Sequence, residues 1–160
     1  MRTSVQQYTI EKQSMNTILA LDLGTNTGWA IMSGSITTGV EKFSNNRHCG
    51  GGMRYLKFRR WLDDLWDNSG FSEVYYEEVH RHLGTDAAHT YGGFLATLQA
   101  WCEDRDIAYQ GVGVGTIKKF ATGHGGASKE AMIAAAKAER PYLEDDNEVD
   151  AYWLLRCVTD

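Results

Sequence analysis

Nothing in these 160 residues approaches the run of about 18 apolar residues that crosses a bilayer. The polar stretch Met1 to Ser14 has no apolar core of the kind a signal peptide needs. It reads as a disordered or vector-derived extension (residues 1–14) ahead of a second possible start at Met15. Proline occurs once, at Pro141, and no Pro-, Gly- or Ser-rich tract marks a linker, so residues 15–160 are expected to form one domain. Disulfide chemistry is also missing. Cys49, Cys102 and Cys157 are odd in number, widely spaced and outside any CxxC, which fits a reduced cytoplasmic protein. Basic residues are scarce too: 16 Lys and Arg against 21 Asp and Glu give a net charge of −5. That balance argues weakly against nucleic-acid binding. A cluster of acids built to hold cations would produce the same sum.

What is present begins with Ile18-Leu19-Ala20-Leu21-Asp22-Leu23-Gly24, a strand-like apolar run carrying one carboxylate. It turns at Gly24 to Gly28 and resumes as Trp29-Ala30-Ile31-Met32, a hairpin of buried strands. A charge among apolar neighbours is costly unless it is paired or holds a cation. Residues 17–23, 27–33 and 35–43 read as a three-stranded meander. Helical spacing of Tyr55, Phe58, Leu62, Leu65 and Trp66 predicts a helix over 53–67. Strands over 73–77 and 107–114 flank a helix over 86–103. A short helix is expected over 116–121, then helices over 129–139, N-capped by Ser128, and over 145–157. With the short helix over 116–121 left uncounted, the order βββαβαβαα is that of a mixed α/β domain.

Candidate partners for Asp22 are few. Strand alternation puts only one of Glu77 and Glu78 on a given face. Asp146, Asn147 and Asp150 share one face of the last helix by their offsets of three and four. Carboxylates from two strands and a helix make a hard-oxygen site, suited to Mg²⁺ or Mn²⁺ rather than zinc. Two such ions can activate a water and stabilise the leaving oxygen of a phosphodiester. The plainer reading makes Asp145 and Asp146 only helix caps and Glu77-Glu78 a solvated strand end. Asp22 resists it, since its neighbours on both sides are apolar. Tyr55 and Phe58 could belong to a dimer face, and the five tryptophans read as core. Lys57, Arg59 and Arg60 read as an ordinary solvated face more than as phosphate contacts.

Leu19-Ala-Leu-Asp22-Leu-Gly24-Thr-Asn-Thr-Gly28-Trp-Ala30, Tyr76-Glu77-Glu78-Val79, Gly115-Thr116-Ile117-Lys118-Lys119 with Ala127-Ser128-Lys129, and Asn147-Glu148-Val149-Asp150-Ala151 occur in that order. Together, from about Met15 to Cys157, they resemble the RuvC-type Holliday-junction resolvases, especially the versions carried by bacteriophages. The resemblance implies an RNase H-like fold with a five-stranded mixed sheet flanked by helices. It also implies a homodimer and Mg²⁺-dependent cleavage of four-way and other branched DNA in a bacterial or phage-infected cell, with Mn²⁺ as a substitute metal. It selects Glu77 over Glu78. It makes Asp22, Glu77 and Asp150 catalytic metal ligands, and Lys118, Lys119 and Lys129 DNA contacts, with Lys119 or Lys129 steadying the scissile phosphate. Arg81 or His82, in the loop after the fourth strand, is a further candidate DNA contact. One departure stands out: where bacterial members carry Asp or His three residues before the last Asp, this chain has Asn147. Asp146 and Asn147 are therefore alternative fourth ligands, Asp146 the one that would add a catalytic carboxylate.

Two rival readings remain. Asp22-Leu-Gly-Thr-Asn also resembles the first phosphate loop of actin-like and sugar-kinase phosphotransferases, which would bind ATP. A junction-binding module without catalysis would bind four-way DNA in EDTA and never cut it.

Overall fold

The computed structural model describes residues 16–160, so the expectation of a disordered extension over 1–14 lies outside the described residues. Five strands form one sheet in the order β3-β2-β1-β4-β5. They are β1 (Ile18–Asp22), β2 (Asn26–Ser33), β3 (Ser35–Lys42), β4 (Glu73–Glu78) and β5 (Ala108–Gly113). β1, β2 and β3 form the antiparallel meander, whereas β4 runs parallel to both β1 and β5. Parallel neighbours require crossovers, and the helices supply them. α1 (Met53–Ser69) lies between β3 and β4, and α2 (Thr85–Asp104) between β4 and β5. After β5 come α3 (Val114–Thr122), α4 (Lys129–Glu139) and α5 (Asp146–Thr159). The order is thus βββαβαβααα. The short helix expected over 116–121 starts at Val114, directly off β5, because Gly113 ends the strand with no intervening loop.

Strand alternation sorts the side chains into two cores. Leu19, Leu21, Ile31, Val74 and Tyr76 face α1 and α2, where they meet Phe58, Leu62, Phe94, Leu98 and Trp101. Phe58 packs edge-on against Phe43 at 5.5 Å and Phe94 at 5.2 Å, and Phe43 meets Phe94 at a tilt at 5.9 Å. Ala20 and Ala30, paired across β1 and β2, face the other way and meet α3, α4 and α5. Small residues at those two positions let α5 lie close to the sheet. Val149, Ala151, Tyr152, Trp153, Leu154 and Leu155 are all buried, so α5 is apolar nearly all round, as a helix sandwiched between a sheet and other helices must be.

One expectation changes here. Phe58 is fully buried in the first core and so is not part of an exposed dimer face, while Tyr55 is half-buried against Phe94 at 5.1 Å. Lys57, Arg59 and Arg60 belong to α1, the layer on the far side of the sheet from α5. The five tryptophans do pack into the cores, Trp101 and Trp153 fully and the other three in part. The three cysteines are unpaired, and no described helix is long and apolar enough to cross a membrane.

Candidate metal centre

Asp22 is the last residue of β1, and the turn behind it is tightly held. The buried Thr27 hydroxyl donates to the Gly24 carbonyl at 2.7 Å, and the Phe43 amide donates to the Thr25 carbonyl at 2.7 Å. The alternation that places Ala20 against α5 places Asp22 there too. On β4 the same parity puts Tyr75 and Glu77 on the α5 side, while Val74 and Tyr76 enter the first core. β1 and β4 are in register through Leu21 and Tyr76, so the next positions, Asp22 and Glu77, stand side by side.

α5 brings the third acid. Asp145 caps this helix, its carboxylate accepting from the Asn147 amide at 2.9 Å and the Glu148 amide at 3.1 Å. Glu148 has capping-box spacing but does not reach back to Asp145. It accepts instead from the Thr38 hydroxyl of β3 at 2.6 Å, which ties the first turn of the helix to the sheet. At Gly28, a Cβ would collide with the Asn147 carbonyl. That glycine lets the backbone of α5 rest on β2 and projects Asp150 over the ends of β1 and β4. Ligand oxygens of Asp22, Glu77 and Asp150 all lie within 4.8 Å of one another.

Three carboxylates this close resist ionising together. Burial, then the charges of Glu77 and Asp150, hold Asp22 well above the ordinary carboxylate range. Burial and the Asp150 charge push Glu77 up to about 7, although Lys118 pulls the other way. Asp150 is pushed up to about 6 by burial and by Asp146, against the pull of Lys118 and Lys129. Hard anionic oxygens with no nitrogen or sulfur donor suit a cation such as Mg²⁺ or Mn²⁺, which would relieve this repulsion.

A pH dependence follows. Raised folded pKa values mean that the native chain keeps protons which the unfolded chain releases between about pH 4 and 7, so metal-free stability falls as pH rises through that window. Calorimetry in EDTA is expected to give a Tm lower by roughly 5 °C at pH 8 than at pH 5. Saturating Mg²⁺ should narrow the gap. A Tm no lower at pH 8 than at pH 5 would contradict this account.

Of the remaining sequence candidates, Asp146 lies beside the cluster and forms an ion pair with Lys129, Nζ to Oδ2 2.6 Å. Asn147 contributes its backbone to the packing on Gly28. Lys118 is half-buried near Glu77 and Asp150, whereas Lys119 is exposed on α3. Arg81 is exposed in the loop after β4. Two contributors escaped the sequence reading. Tyr91 of α2 looks like another apolar-face residue, yet its hydroxyl donates to the Glu77 carbonyl at 2.8 Å and accepts from the Val79 amide at 3.2 Å. Thr38 gives no local signal at all, since its partner is more than a hundred residues away.

This sheet order, with acids on the two central strands and the last helix, defines an RNase H-like fold. Among solved structures the chain is similar to Thermus thermophilus RuvC in complex with Holliday junction substrate. The identity is 15%, with 89% of this chain and 92% of that chain covered and a TM-score of 0.74. A second Thermus thermophilus RuvC structure gives 16% identity, 88% and 92% coverage and a TM-score of 0.70. The yeast mitochondrial Holliday junction resolvase Ydc2 gives 14% identity, 89% and 77% coverage and a TM-score of 0.62. No family model and no curated protein sequence matches the chain. At these identities the likeness is one of fold.

Proposed function

We propose that this chain is a metal-dependent endonuclease that resolves four-way junctions and other branched DNA by paired phosphodiester cuts. The observation that carries the reading is the meeting of Asp22, Glu77 and Asp150, from three separate elements, within 4.8 Å. The likeness to a RuvC structure in complex with a Holliday junction supports the substrate class. Asp22, Glu77 and Asp150 would hold Mg²⁺, or Mn²⁺ in its place, with Asp146 rather than Asn147 as the fourth ligand. When bound, such ions supply the positive charge that activates water and offsets charge on the leaving oxygen.

The chain's own residues have separable tasks. Tyr91 and the turn closed by Thr27 fix the strand ends that carry Glu77 and Asp22. Lys118 moderates the repulsion among the acids. Lys119, Lys129 and Arg81 contact phosphates and set the register of the DNA. A homodimer presents two such sites to two strands. Because the chain as a whole is acidic, its hold on DNA depends on these few local cations and weakens steeply with salt.

The decisive experiment incubates end-labelled four-way junction, Y-fork and linear duplex with the protein in Mg²⁺ or in EDTA. Junction is expected to be cut in Mg²⁺ and left whole in EDTA, with duplex cut far less. If the junction is bound yet stays intact in both Mg²⁺ and Mn²⁺, the chain is a binding module and the nuclease reading fails.

A further inference from the structure

Lys129 occupies an awkward place for a cation. It is the first residue of α4, where the helix dipole disfavours positive charge. Its ammonium instead leans across to Asp146, the first residue of α5, with Nζ 2.6 Å from Oδ2. Lys129 is 65% exposed and Asp146 only 34%, so the lysine reaches inward from solvent to an acid at the rim of the cluster. Among the described residues, the three central carboxylates form no such ion pair, and Lys118 influences Glu77 and Asp150 only from beyond pairing distance. Asp146 is therefore the one acid of the group that already has a cation, and that cation belongs to the chain.

We propose that Lys129 holds Asp146 closed to a second metal ion until a phosphodiester takes the ammonium away. An exposed pair is weak, and lysine is a point charge on a flexible stem, so exchanging one anionic partner for another costs little. In the free protein Asp146 is neutralised by Lys129. On DNA, Lys129 moves to phosphate, and Asp146 turns to the cation beside Asp150. DNA and metal thus favour each other through a single side chain, and the coupling is reciprocal. The full charge needed for cleavage assembles only on substrate. This mechanism rests on the metal-nuclease reading above.

Each half can be tested without catalysis. By calorimetry at fixed pH and ionic strength and without DNA, Lys129→Gln is expected to bind Mn²⁺ about two- to fivefold more tightly than the parent. Lys129→Arg keeps the pair and the parent affinity. Lys137→Gln, at the other end of α4, removes an equal charge and changes nothing. In EDTA, Asp146→Asn frees the lysine and is expected to bind four-way junction about two- to fivefold more tightly. Each gain disappears when the other partner is already substituted, so the double variant shows neither. An unchanged Mn²⁺ affinity in Lys129→Gln overturns the proposal, as does a gain that persists in the Asp146→Asn background. A parent chain that takes up no Mn²⁺, or takes it up equally after Asp22→Asn, would instead overturn the metal-site reading beneath it.

Discussion

Asp22→Asn protein is expected to cut a four-way junction at least about a hundredfold more slowly than the parent at saturating Mg²⁺. It should bind the same junction in EDTA no less tightly. Asparagine preserves the shape of the side chain and one oxygen but removes the charge. Asp22 ends the central strand of the sheet, with β2 on one side and β4 on the other, so no other acid can move into its position. The substitution also has a predictable effect on stability. Asp22 is held from ionising by burial and by the charges of Glu77 and Asp150, and the amide removes that repulsion. Metal-free Asp22→Asn should therefore melt at a higher temperature than the parent at pH 8, and its Tm should depend less on pH. An inactive protein that is more stable than its parent is the expected mark of a site that stores electrostatic strain for function. Parent-rate cleavage by Asp22→Asn would refute the assignment, and a lowered Tm would refute the electrostatics.

Gly28→Ala makes the second large change, although it adds only one methyl group. That methyl would enter the space held by the Asn147 carbonyl, and the obstacle is backbone, which cannot turn aside as a side chain does. Either β2 bends or the first turn of α5 lifts, and Asp150 sits one turn further along the same helix. Overpacking of this kind costs about 1–3 kcal/mol. In urea titrations the midpoint should fall accordingly, with the m-value unchanged. Cleavage should fall by more than the unfolded fraction explains, because a displacement of about 1 Å at reacting groups can cost a hundredfold. Parent stability together with parent activity would show that α5 does not depend on this contact.

The elements that alternation and helical spacing define were legible in the sequence, and so were the acids they carry. Alternation limits each strand to one acid per face, because side-chain direction in a strand is a local property. Asp145 declared itself as a cap for the same reason. The choice of Glu77 over Glu78 came with the family resemblance, and the register of β1 with β4 sets it beside Asp22. Contacts that join distant segments were not legible. Glu148 stands at capping-box spacing, and only the fold shows that Thr38 claims it. Tyr91 carries no mark that separates a hydroxyl gripping a strand end from one facing solvent. Phe58 and Tyr55 lie on an amphipathic helix whose apolar stripe fits a core or a partner equally well, and the tertiary packing decides. The pairing of Lys129 with Asp146 depends on how α4 and α5 lie together, which no spacing within either helix reveals.

The placement of the three acids along the chain has a consequence for when the activity can exist. Asp22 comes in the first strand and Asp150 in the last helix, so the site closes only after nearly the whole described chain has been made. During synthesis from the N-terminus, β1 to β4 can pair while the first turn of α5 is still missing. Such a nascent chain carries Asp22 and Glu77 without the residue that completes the cluster, and Gly28 waits without its partner. A copy clipped before α5 therefore lacks both the third acid and the helix that fills the second core. The order of the residues along the chain thus delays completion of the acidic cluster until the last described helix has been made.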